Sequence, residues 1–269
     1  MLDTLYSGNS EAIIHDIERI YKQNNFCVVS FLYFANAMKY HLLETPVTSL
    51  DSEYKKALED ADFLLPDGIA LQTWYRFSRR HKTPLHNLNG TDLTPKIFDY
   101  LSRRHTIHVY IYSLYDEKIG KGQERLHKGA EKLKQEYGIA QVHSYQTIYT
   151  QRGKDFPRDA MEKEISHDSS VWNIFLNSTW TPTQELFAHQ HKDRFVKNRM
   201  LVLNTWWFID FYSGFEIRAP KRVVKARVLE TFWRIANNPA KNFKKIVPMF
   251  GVFRVLWKNI FTPSRWTWK

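Results

Sequence analysis

The chain has 269 residues, 43% of them hydrophobic and 15% aromatic, enough for one large folded core, which excludes a globally disordered protein. Its single cysteine, Cys27, excludes a disulfide framework within the chain and a cysteine-based metal site, and suits a reducing compartment. The formal charge of +11 is uneven: residues 218–269 hold thirteen Lys and Arg against Glu230 alone, a net +12, which leaves the remainder at about −1.

The polar first residues lack a basic flank followed by an apolar stretch, so no signal peptide is expected there. Ser10 is the expected cap of a first helix, with Ile13, Ile14, Ile17, Ile20 and Tyr21 on one face. Residues 26–34 (FCVVSFLYF) are almost all apolar, as in a strand buried on both sides. Helices are expected over 35–43 and 52–60. The stretch 61–92 follows. Ala61, Phe63, Leu64 and Leu65 form a short apolar run that Pro66-Asp67-Gly68 breaks, and Ile69, Leu71, Trp74, Tyr75 and Phe77 then recur at helical spacing. Asn89-Gly90-Thr91-Asp92 opens another helix, with Thr91 or Asp92 as its cap and Pro95 near its first turn. A strand is expected over 107–113, a charged helix over 117–137 ending at Gly138, a weak strand over 139–149 and a helix over 157–166. Further strands fall at 171–177 and 200–203, with a helix starting at Pro182 between them.

Strands alternating with helices predict an α/β fold: a Rossmann-like parallel sheet with helices on both faces. In such sheets ligands sit outside the carboxyl ends of the strands, so a carboxylate just past a strand, as at Asp67, is placed for chemistry. Pro-Asp-Gly is also a common plain turn, since Pro presets φ and Gly tolerates positive φ. Asp60-Ala-Asp62 has a metal-nucleotide spacing but precedes its strand, and His189 and His191 are two apart, so no metal site is expected.

After Arg218-Ala219-Pro220 the character changes. Residues 223–236 read as a basic amphipathic helix carrying Val224, Val228, Phe232 and Trp233, and further tryptophans beside Lys and Arg follow to the end. That is the composition of a segment lying in a bilayer interface, and no apolar run reaches the ~18 residues needed to cross one. Two domains are therefore expected: a core over 1–217 and a basic, helical, membrane-associating appendage over 218–269.

Five stretches in order resemble the WecG/TagA/CpsF family of bacterial glycosyltransferases. They are ADFLLPDG, NLNGTDL, TPTQE (181–185), FIDFYSGFEIRAP (208–220) and Glu230-Thr-Phe-Trp-Arg234 with Pro239 after it. The resemblance implies an inverting, metal-independent enzyme moving a sugar from a UDP-sugar to a polyprenyl-diphosphate-linked acceptor, with no cofactor beyond the donor. It also implies a cytoplasmic protein, peripheral on the inner face of the plasma membrane, and a homo-oligomer. Carried over by motif, Asp67 is the base and Ser30 joins it as catalytic. Gly68, Gly90, Thr91, Asp92, Gln184, Glu185 and Asp210 would contact substrate, and Arg218 and Arg234 would neutralise the departing diphosphate.

The chain departs from the family pattern at several turns. Asn87 stands for an Arg, and Ser113-Leu114-Tyr115, Ser178-Thr179-Trp180 and Asn204-Thr205-Trp206-Trp207 stand where the family has glycines. Only 10 glycines are present, where average usage would give roughly 19. Tryptophan in place of glycine fills space that a phosphate or sugar would approach. A catalytically inactive membrane-bound scaffold of the same fold is therefore a second reading. A nucleic-acid binder is a third, lacking a recognised motif.

Overall fold

The computed structural model describes residues 4–42, 45–78, 85–115, 122–148, 156–205 and 208–215. The expected appendage, with Arg218 and Arg234, lies outside the described residues, as do Trp206 and Trp207.

Six strands make one wholly parallel sheet: β1 (Cys27–Tyr33), β2 (Phe63–Asp67), β3 (Thr106–Tyr115), β4 (Gln141–Ile148), β5 (Val171–Asn177) and β6 (Met200–Asn204). Their order across the sheet is β2-β1-β6-β5-β3-β4. The central strands β5 and β6 are buried at every position, which is why VWNIFLN and MLVLN do not alternate. On one face lie α1 (Ser10–Asn24), α5 (Gly90–Ser102), α6 (Gly122–Tyr137) and the short α10 (Phe208–Tyr212), packed through Ile17, Phe98, Leu133 and Phe208 onto Val29, Val109, Ile174 and Leu203. The other face carries α7 (Arg158–Glu164), α8 (Thr183–Gln190) and α9 (Lys192–Lys197) over Tyr112, Phe175 and Val202. Nearer the β2 edge, α2 (Phe34–Lys39), α3 (Ser49–Glu59) and α4 (Ile69–Ser78) cover Leu32 and Leu64. Each fully buried leucine or phenylalanine of this kind stabilises the fold by about 1.5–3 kcal/mol.

The expected parallel, doubly covered sheet is present. Several boundaries moved, each for a local reason. Asn9, not Ser10, caps α1, because its Oδ1 accepts from the amides of Glu11 and Ala12. Pro66 and Asp67 belong to β2 instead of breaking it. Proline is tolerated there because β2 is an edge strand, and on its outer side, where Pro66 has no N–H to offer, its carbonyl accepts from the Leu88 amide while Leu5 bridges to Leu64. Asn89, not Thr91 or Asp92, caps α5 by accepting from the Asp92 amide at 2.8 Å. The α10 turn escaped the sequence reading because five residues are too few to show a period.

β1 leads to its outer neighbour β2, and β3 to its outer neighbour β4, so connections diverge from the sheet's middle. Such a reversal is where ligands bind in open α/β sheets, at the strands' carboxyl ends.

Candidate functional site

Asp67 is the last residue of the edge strand, in register with Tyr33 of β1, and is partly exposed. The turn after it is tightly specified. Gly68 has φ +87°, a conformation disfavoured for any side chain, and a Cβ there would lie 3.3 Å from the Tyr33 ring. The Gly68 amide donates to Asn87 Oδ1 at 2.9 Å, and the Leu88 amide donates to the Pro66 carbonyl at 3.0 Å. Asn87, which replaces the family's arginine, thus serves as a clamp on the residue next to Asp67. Gly90 is buried, and a Cβ there would stand 3.4 Å from the Phe31 ring, an ordinary contact. Thr91 and Asp92 are half-buried in the first turn of α5, and Asn89 Nδ2 donates to Asp92 Oδ2 at 2.7 Å.

Ser30 is not brought to Asp67. It is fully buried in mid-strand, its Oγ accepting from Asn204 Nδ2 at 2.9 Å. It pairs with Leu64, three residues before Asp67, which is about 10 Å along the strand. Leu65 lies two residues from Asp67 and packs with the α1/α5 side, whereas Leu64 packs on the other face with Ser30 beside it in register. One position of register separates the two faces of a strand. The hydroxyl that motif matching joins to the base is instead part of the sheet's interior.

Gln184 and Glu185 open α8 just past β5, and both are 1% exposed. Glu185 Oε1 accepts from Gln184 Nε2 at 2.7 Å and from Thr181 Oγ1 at 3.1 Å. Burial pushes the Glu185 carboxyl up to about 7, against the pull of those two hydrogen bonds. Asn177, at the end of β5, ties this turn down: its Nδ2 donates to the Gln184 carbonyl at 3.0 Å, and its Oδ1 accepts from Thr179 Oγ1 at 2.8 Å. Trp180, by contrast, is half-buried at the same turn, so the bulk that replaces glycine is not packed into the core.

Asp210, in the first turn of α10, pairs with Arg125 Nη1 at 2.5 Å, with both side chains about nine-tenths buried. Arg125 comes from the first turn of α6, and its Nη2 also donates to Ser113 Oγ at 2.7 Å and to the Leu114 carbonyl at 3.3 Å. The sequence reading missed Arg125, which lies in a charged helix among other Lys and Arg with no motif around it. Asn177 and Asn204 did carry a signal, as amides at the last position of two otherwise largely apolar strands. Asp62 accepts from the Val28 amide at 2.7 Å at the amino end of β1, and Asp60 pairs with His189 at 3.0 Å, so both acids have structural partners.

Asp67, Asp92, Gln184, Glu185 and Asp210 thus all lie at the carboxyl end of the sheet, spread from β2 to β5. The order of strands puts three inter-strand spacings, roughly 14 Å, between the two extremes. A doubly covered parallel sheet whose polar groups gather at the strand ends defines a Rossmann-like α/β protein with a ligand site at that edge. The glycosyl transferase WecG/TagA/CpsF family signature matches residues 4–265, and the chain belongs to that family. It is similar to the N-acetylglucosaminyldiphosphoundecaprenol N-acetyl-beta-D-mannosaminyltransferases of Bacillus spizizenii and Bacillus subtilis, at 24% identity in each case. The alignments cover 70% of this chain but only 65% and 66% of those proteins, so the chain spans just under two thirds of these relatives' length.

Proposed function

We propose that the protein is an inverting glycosyltransferase moving a sugar from a UDP-sugar to a polyprenyl-diphosphate-linked saccharide. The observation that carries this reading is Asp67, a partly exposed carboxylate at a strand's carboxyl end, in a turn fixed by Gly68 and Asn87. In the reaction an acceptor hydroxyl gives its proton to the Asp67 carboxylate, and its oxygen attacks the anomeric carbon from the side opposite the nucleotide. The bond from that carbon to the diphosphate oxygen breaks, its electron pair leaves with UDP, and the configuration inverts. A base of this kind contributes about 10²–10⁴-fold.

The roughly 14 Å from β2 to β5 gives the donor room to lie across β1 and β6. Its nucleotide would lie toward Gln184 and Asp210. Asp210 is already neutralised by Arg125, and Glu185 is engaged by Gln184 and Thr181. That favours cationic side chains over a metal ion for the diphosphate, the role proposed for Arg218 and Arg234. Residues 1–217 would form the catalytic core and 218–269 the part that holds it, peripherally, on the inner face of the membrane. No described helix is long and apolar enough to cross a bilayer, and the basic, tryptophan-rich composition of 218–269 supports surface attachment.

The test is a titration of the purified protein with UDP and a panel of UDP-sugars, beginning with UDP-N-acetylmannosamine, in the presence of anionic vesicles. Transfer to a synthetic N-acetylglucosaminyl-diphospho-lipid follows. Binding in the micromolar to low millimolar range and an inverted product are expected. No nucleotide affinity and no transfer would overturn the reading in favour of a scaffold.

A further inference from the structure

A cleft of about 450 Å³ opens between the first turns of α1 and α5, lined by Asn9, Ser10, His86, Asn87, Asp92 and Lys96 above Leu88 and Leu93. This lies within the roughly 300–1,000 Å³ typical of small-molecule sites. It adjoins Asp67, because Asn87 lines it and also holds the Gly68 amide.

The chemistry of the wall limits what it takes. Two helix starts meet here, yet neither offers its amides to an anion. Asn9 Oδ1 already accepts from Glu11 and Ala12, and Asn89 Oδ1 from Asp92. The charges of Asp92 and Lys96 cancel. The His86 imidazole is the one ring among the lining residues, with no Phe, Tyr or Trp to pair with it in sandwiching a base. What remains is a mixture of donors and acceptors. Asn87 uses its Oδ1 on Gly68, which leaves its amino group to donate. Lys96 donates to Ser10 Oγ at 3.1 Å, which leaves the Ser10 hydroxyl hydrogen to donate in turn. Asp92, whose Oδ2 also accepts from Asn89, adds carboxylate lone pairs to the wall. A sugar hydroxyl both donates and accepts, and a sugar's C–H face suits a floor of two leucines.

We infer that this cleft is a subsite for an uncharged sugar of the acceptor, held by Ser10, Asn87, Asp92 and Lys96 beside Asp67. The assignment to the acceptor rests on the glycosyl-transfer reading above, since the donor nucleotide would lie toward β5. The acceptor's diphosphate would then extend away from the cleft, toward the centre of the sheet.

The experiment titrates N-acetylglucosamine, and separately inorganic phosphate, into the isotope-labelled full chain while following the Asn side-chain amide signals. Lys96→Ala and Ser10→Ala are compared by acceptor KM and by UDP affinity. Asn9 is left intact because it caps α1. The expected result is that the sugar, not phosphate, moves the Asn87 and Asn9 signals. Both variants should raise acceptor KM about 5–20-fold and leave UDP affinity unchanged. Signals that ignore the sugar, or that answer to phosphate instead, overturn the subsite even if transfer is robust. An unchanged acceptor KM in both variants overturns it too. Sugar-induced shifts in a chain without UDP affinity would leave the cleft standing and remove glycosyl transfer.

Discussion

The two ends of the site are built on different terms. At the edge strand β2, Asp67 is partly exposed, and its surroundings are fixed mainly by the backbone, through the Gly68–Asn87 and Leu88–Pro66 bonds. At the centre, beside β5 and β6, Gln184, Glu185 and Asp210 are buried at 1%, 1% and 7% exposure and are bonded to side chains. A partly exposed group on a fixed turn is within a substrate's reach without the core being opened. A buried, paired group must shape the loops, or be uncovered by their movement. The same motif match therefore covers one partly exposed carboxylate and several buried, paired groups.

Asp67→Asn tests that contrast most severely. Transfer should fall by about 10²–10⁴. Stability against urea should fall by about 1 kcal/mol at most, since the amide keeps the carboxylate's shape at a partly exposed position. A large loss of stability with transfer merely halved would reverse the assignment.

Arg125→Ala should do the opposite. It strands the Asp210 carboxylate in a site where both partners are about nine-tenths buried. Removing one member of such a pair costs about 3–5 kcal/mol. Arg125→Met combined with Asp210→Leu should recover much of that in urea unfolding, because no lone charge is left. If the single change costs under ~1 kcal/mol, the pair is not the clasp between α6 and α10.

Glu185 gives a pH signature. Its carboxyl is raised from 4.5 to about 7 by burial, so the folded chain holds the proton more tightly than the unfolded chain. This contribution to stability is complete below pH 4.5 and is lost as the pH rises through 7, by up to roughly 3 kcal/mol at about 1.4 kcal/mol per unit. Unfolding free energies of the wild type and Glu185→Gln, compared from pH 4 to 8, should converge at low pH and diverge with that sign. Parallel curves would mean that burial does not raise the Glu185 carboxyl above its unfolded value.

Much of the fold was legible because its signals are local and repeated. VWNIFLN and MLVLN announce strands buried on both faces, and Ile13, Ile14, Ile17 and Tyr21 announce a helix face, which the structure buries. The site was legible only where chemistry and turn coincide, as at Asp67-Gly68. Ser30 stands apart from Asp67 because a motif records residue type but not strand parity, and an offset of three positions places it on the other face of the sheet. Arg125 was hidden because its partners, Ser113 and Asp210, are 12 and 85 residues away and only the sheet brings them together. Asn87 looked like a loss when set against an arginine, and its use became visible only with Gly68 opposite it.

The smallest effect separates stability from positioning. Asn89 caps α5 next to the Gly68 turn, and Thr48 caps α3, which packs on the other face of the sheet, in a reciprocal pair with Asp51. Asn89→Ala and Thr48→Ala should each cost about 1 kcal/mol, the usual value of a lost cap. Only Asn89→Ala should also lower kcat/KM, by about 3–10-fold, because Asn89 Nδ2 orders the Asp92 carboxylate and the first turn of α5 beside the clamp. Equal kinetic losses from both substitutions would mean that activity follows overall stability. No kinetic loss from either would mean that substrate binding, and not the cap, sets the geometry around Asp67.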